Sequence, residues 1–120
     1  MSLHLELAEI IDEAFADRLR KPVGRTQDAL ILDLGEDMTL TVRYAAPDAY
    51  SLRWIRNGRE AGIDTAPLHR DLASFPNHLH HASGKILADP VTRPDDRPED
   101  NLRRLITTLL EHPEFGTEDA

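Results

Sequence analysis

The chain has 120 residues, with 22 acidic against 14 basic side chains for a formal charge of −8, 40% hydrophobic residues and no cysteine. That length suits one domain rather than two separate cores, and the missing cysteines exclude disulfides, thiolate metal sites and a cysteine nucleophile. The negative charge argues against non-specific nucleic-acid binding, which needs several Lys or Arg on phosphates, and no apolar run approaches the roughly 18 to 20 residues that cross a bilayer.

Leu3, Leu7, Ile10, Ile11, Ala14, Phe15 and Leu19 recur at three- and four-residue steps, which predicts an amphipathic helix capped by Ser2 and ending before Pro22. Acids in this first segment, where a secretion signal needs bases, fit a soluble cytoplasmic protein with no membrane partner. From Gln27 to Thr65 the period shortens to two. Leu30, Leu32 and Leu34, then Met38, Leu40, Val42 and Tyr44, then Tyr50, Leu52 and Trp54 read as an antiparallel meander, with a turn at Gly35-Glu36-Asp37.

Asn57-Gly58 predicts a two-residue type I′ turn, because both positions need positive φ. Counting outward from it pairs Arg56 with Arg59, Trp54 with Ala61, Arg53 with Gly62, Leu52 with Ile63 and Ser51 with Asp64. Leu52, Trp54, Ala61 and Ile63 then face the core. Ser51, Arg53, Gly62 and Asp64 share an open polar face with Thr39, Thr41 and Arg43.

Residues 66–76 read as a loop that leaves the sheet and returns. A short hairpin about Ser83-Gly84 follows, from His78 to Ala82 and from Lys85 to Ala88, and residues 89–97 read as a Pro- and Asp-rich linker. Leu102, Leu105, Ile106, Leu109 and Leu110 predict a second helix from about Pro98 to His112, ended by Pro113, with residues 113–120 as a mobile tail. The expected architecture is a single α+β domain over 1–120. It has two layers: an antiparallel meander of about four to six strands, packed by an N-terminal and a C-terminal helix. Exposed sheet edges in such a fold suggest a homodimer.

Four of the six histidines, His69, His78, His80 and His81, fall in one short stretch. If residues 78–81 are extended, His78 and His80 share a face and His81 points the other way. Near Asp64, Arg53 and His69, such a pair suits two chemistries. In one, imidazoles act as general base and acid while Arg53 stabilises charge on a phosphate. In the other, His69, His78, His80 and Asp64 hold a divalent metal such as zinc. A structural role for the histidines stands beside both. Charge is uneven: residues 1–42 carry −5, residues 43–85 carry +2 and residues 86–120 carry −5, so the middle third alone is positive. Twelve of the fourteen bases are Arg and thirteen acids are Asp, usage that suits a GC-rich genome or a salt-adapted cytoplasm. Walker-type glycine loops, GxGxxG, HExxH and EF-hand loops are absent from the sequence, which argues against the common nucleotide hydrolases.

The segments Tyr50-Ser51-Leu52-Arg53-Trp54, Asn57-Gly58, Gly62-Ile63-Asp64-Thr65-Ala66-Pro67-Leu68-His69 and Ser74-Phe75-Pro76-Asn77-His78-Leu79-His80 resemble the TumE-like family over about residues 50–88. These are small prokaryotic toxins of type II toxin–antitoxin systems. The resemblance implies a toxin acting on RNA and restrained by an antitoxin protein, with Asp64, His69, His78 and His80 as the matching polar positions. Thr65, Leu68 and Leu79 depart from the family pattern, the last two removing an imidazole and a cation. Taken with the residues, this leads to the expectation of a metal-independent endoribonuclease cutting single-stranded RNA with no cofactor. His78 or His80 would be the base, the partner histidine or His69 the acid, Arg53 the phosphorane stabiliser, and Asp64 the group that fixes an imidazole tautomer. The alternative is a non-enzymatic binding module, either a metal-binding regulator or a protein-interaction domain.

Overall fold

The computed structural model describes residues 2–119. Helix α1 (Leu3–Ala14) starts at Ser2, whose side chain accepts the Leu5 N–H, and ends earlier than the apolar spacing predicts. Phe15 leaves helical geometry, and the chain turns so that Phe15 and Leu19 still pack against the core without continuing the helix. The Asp12 carboxylate then accepts the Val23 N–H at 2.8 Å, tying the turn back to the helix.

Seven antiparallel strands follow: β1 (Gly24–Arg25), β2 (Leu30–Gly35), β3 (Met38–Ala46), β4 (Ala49–Arg56), β5 (Arg59–Asp64), β6 (His78–His80) and β7 (Ile86–Ala88), lying side by side in chain order. The extra strand relative to expectation is β1, a two-residue pairing of Gly24 with Ile31 and Arg25 with Leu30 that carries no periodic signal. The Asn57-Gly58 turn sets the β4–β5 register as the sequence predicts, from Arg56 opposite Arg59 to Ser51 opposite Asp64. Both turn residues have positive φ, 51° and 79°, the geometry that Asn-Gly tolerates. The sheet edges are β1 and β7, two and three residues long, so there is little unpaired backbone for a second copy to extend.

Alternation puts Leu30, Leu32, Leu40, Val42, Leu52, Trp54 and Ile63 on one face, where Leu7 and Ile11 of α1 cover them together with helix α2 (Pro98–Glu111) through Leu102, Leu105, Ile106 and Leu109. Each fully buried side chain of this size contributes roughly 1.5–3 kcal/mol. The result is the two-layer α+β arrangement read from the sequence. Among the described residues no helix is long and apolar enough to cross a membrane.

Two segments differ from expectation. Residues 113–119, expected as a mobile tail, lie against the β4–β5 pair. The buried Trp54 indole needs an acceptor, and the Phe115 carbonyl supplies it at 2.9 Å while the two rings stack. Gly116 follows at φ +78°, where a Cβ would sit 2.9 Å from the indole, so only glycine fits there. The expected linker 89–97 also holds structure. The Asp89 side chain accepts the N–H groups of Val91 and Thr92, the Thr92 hydroxyl and the Asn77 amide, all part-buried or buried.

Because the Thr92 hydroxyl donates to Asp89, it accepts from the Tyr50 hydroxyl at 2.7 Å. Tyr50 stacks obliquely on Tyr44, with centroids 5.1 Å apart. Burial pushes the Tyr50 phenol up to about 12 and raises Tyr44 further still. Between the unfolded value near 10 and these folded values the native state keeps protons that the unfolded chain has lost, so stability declines as pH rises through that window. The expected decline is about 1.4 kcal/mol per pH unit for each tyrosine. Urea midpoints at pH 9 and pH 11 check this, and Tyr44→Phe is expected to lessen the decline; equal midpoints would contradict it.

Candidate active site

The polar sheet face gathers its chemistry where β5 meets β6. Pairing sets Asp64 opposite His78 and Gly62 opposite His80, so the carboxyl and both imidazoles rise on one side while Leu79 between them goes to the core. The His78 Nε2 lies 3.1 Å from Asp64 Oδ1, the His80 Nε2 lies 2.9 Å from Asp64 Oδ2, and the two Nε2 atoms are 3.0 Å apart. The Ala66 N–H donates to Asp64 Oδ1 at 3.0 Å, which holds the carboxyl at the strand exit.

The two histidines differ in access. The side chain of His78 is 1% exposed and that of His80 is 36% exposed, so only His80 can meet a macromolecular substrate. The expectation that either could serve as base narrows accordingly. His78 Nδ1 faces the Pro76 carbonyl at 3.3 Å, and since a carbonyl only accepts, Nδ1 carries the proton. His69, from the 65–77 connection, packs its ring edge-on against His78 with centroids 4.7 Å apart, and His80 makes a second edge-on contact with His78 at 4.6 Å. The buried ring thus touches two more accessible ones. That connection covers the polar face at this end, where the sequence suggests an open surface.

Arg53 is not drawn into the cluster. Its guanidinium donates to Glu60 at 2.7 Å, with both side chains about half exposed, and its stem lies against Gly62, the residue between it and His80 in the cross-strand row. A shallow depression of about 410 Å³ adjoins Asp64 and is walled by Arg43, Ser51, Thr65 and Ala66. His81 points to the opposite side, as expected, and is held between Ser83 Oγ and Glu118 Oε1, each 2.8 Å away. Three ligand-type atoms, one each from Asp64, His78 and His80, lie close enough to hold an ion; His69 contacts the group only through the His78 ring.

Sequence reasoning misses the support beneath these groups. Ser74 Oγ donates to the Asn77 carbonyl and accepts the Asp89 N–H, while the Asn77 amide donates to Asp89 and to the Thr92 carbonyl. These bonds fix the residue next to His78. An Asp followed at the second and third positions by free N–H groups is a legible turn signal, and Asp89-Pro90-Val91-Thr92 carries it.

The family model described as toxin TumE matches residues 4–112, most of the chain. No curated protein and no solved structure matches it.

Proposed function

The chain belongs to the TumE family of toxins, whose partner is the antitoxin of a toxin–antitoxin pair, and on that footing we propose that it is an endoribonuclease cutting single-stranded RNA without a metal ion. What supports the reading is one accessible imidazole, His80, bonded through Nε2 to a carboxylate, with a second imidazole, His69, packed on the same buried His78 ring.

Asp64 takes the His80 Nε2–H and so leaves the Nδ1 lone pair free, the division of labour by which a carboxylate sets a histidine tautomer. Nδ1 removes the ribose 2′-OH proton, and the 2′ oxygen attacks the adjacent phosphorus. The bond from phosphorus to the 5′ oxygen breaks, and His69 as imidazolium gives that oxygen its proton. The products are a 2′,3′-cyclic phosphate and a 5′-hydroxyl. His78 is a positioning residue, in ring contact with both of the others. Arg53 exchanges Glu60 for the phosphate, since a half-exposed ion pair is worth at most about 1 kcal/mol.

A labelled single-stranded RNA incubated with the protein in EDTA, at low and molar salt, tests this. Expected are cyclic-phosphate ends and no cleavage of an all-deoxy strand, which lacks the attacking hydroxyl. Cleavage of the deoxy strand, or loss of all cleavage in EDTA, would overturn the mechanism. An inert protein at both salt levels would favour the binding-module alternative.

A further inference from the structure

We infer that Asp64, His78 and His80 form a binding site for one first-row transition-metal dication of the zinc class, and that this ion switches off the general base. The lone pairs carry the argument. His78 commits its Nδ1–H to the Pro76 carbonyl, so in the neutral ring the buried Nε2 is a lone pair aimed at Asp64 Oδ1, 3.1 Å away, and at His80 Nε2, 3.0 Å away. In the neutral rings the His80 Nε2–H is the one proton among these atoms. Whichever way it leans, His78 Nε2 and Asp64 Oδ1 face each other as two acceptors, an arrangement that a cation between them relieves.

The distances fit such an ion. Ligand nitrogens at about 2.0–2.1 Å from a metal and 3.0 Å from each other subtend roughly 95° at it, close to neighbouring corners of an octahedron, and an opening of about 0.3 Å reaches the tetrahedral angle of zinc. Two histidines and one carboxylate on one side leave the remaining positions for water, as in sites of this composition. The outer bonds are those that ligand groups require: His78 Nδ1 on a backbone carbonyl, and Asp64 Oδ1 fixed by the Ala66 N–H. His69, from the 65–77 connection, packs on the buried His78 ring, and the part-exposed His80 gives the ion its entry.

Occupancy and the proposed cleavage exclude each other. A metal on His80 Nε2 needs the lone pair there, which moves the ring proton to Nδ1 and removes the lone pair that would accept the ribose proton. This inhibitory consequence rests on the ribonuclease reading, whereas the site itself does not.

Untagged protein stripped with EDTA and dialysed should take up one equivalent of Zn2+ by calorimetry, and Co2+ should give visible absorption bands. His80→Ala and Asp64→Asn are expected to weaken uptake at least about tenfold, the smallest loss seen when even an outer partner of a ligand is removed. Circular dichroism checks that both variants stay folded, and exposed His112→Ala is expected to bind as the unaltered chain does. No saturable uptake, or uptake unchanged in both variants, overturns the site. RNA cleavage followed in the same preparations separates the two readings: cleavage by stripped protein that binds no zinc removes this site alone, and zinc uptake by protein inert in both forms removes the ribonuclease reading alone. If stripped protein cleaves, zinc-loaded protein should not; faster cleavage with zinc would overturn the inhibitory assignment.

Discussion

His80→Ala is expected to lower kcat for RNA cleavage by about 10²- to 10⁴-fold with KM little changed, the range a positioned general base supplies. The substitution removes a part-exposed side chain on the polar face of the three-residue strand β6, so it leaves the core untouched. Asp64→Asn should retain the shape and lose the tautomer control, lowering kcat less than loss of the ring itself. His69→Ala separates acid from base: if His69 protonates the leaving oxygen, the variant is slow on RNA and recovers on a substrate whose leaving group departs without a proton. Initial rates on fluorescent RNA and on such an activated phosphodiester measure all three. Full activity in His80→Ala would sink the assignment of the base, and no recovery in His69→Ala would sink that of the acid.

Asp89→Ala is expected to destabilise the fold by about 3 kcal/mol or more, because one deletion leaves several buried donors without acceptors, each costing about 1–3 kcal/mol. The donors are the Asn77 amide, the Thr92 hydroxyl and the N–H groups of Val91 and Thr92, although the Asn77 amide keeps the Thr92 carbonyl. Asp89→Asn retains one acceptor oxygen and should lose less. Urea denaturation reads the difference directly. Since Asn77 adjoins His78, surviving Asp89→Ala protein should also cleave poorly; an unchanged urea midpoint would show that the network contributes nothing net.

The legible part of the fold came from periodicity and one turn. Alternation at residues 30–44 and 50–54, together with Asn57-Gly58, was enough to place Asp64 on the polar face and to give the register residue by residue, since a two-residue turn leaves no freedom in the count. The same-face relation of His78 and His80 followed from the period of two. What stayed hidden depends on contacts across long sequence separations. The burial of His78 comes from a connection with no periodic signal, and the docking of 113–119 comes from the need of one indole for one carbonyl. The capture of Arg53 by Glu60 is a choice among neighbours that the register permits without selecting. The family resemblance named the polar positions, and geometry divided them into a ring that can be reached and a ring that cannot.

The strand order has a kinetic side. A sheet whose spatial order repeats its chain order can be closed hairpin by hairpin, each step joining ends separated by a few residues, so little chain entropy is lost per pairing. The exception is the step from β5 to β6, which must close the 65–77 connection, the longest in the sheet. That is the step which brings His78 and His80 to Asp64. A chain with β1 to β5 zipped therefore has most of its sheet before Asp64, His78 and His80 meet, and the entropy of that one loop sets when the candidate site is assembled.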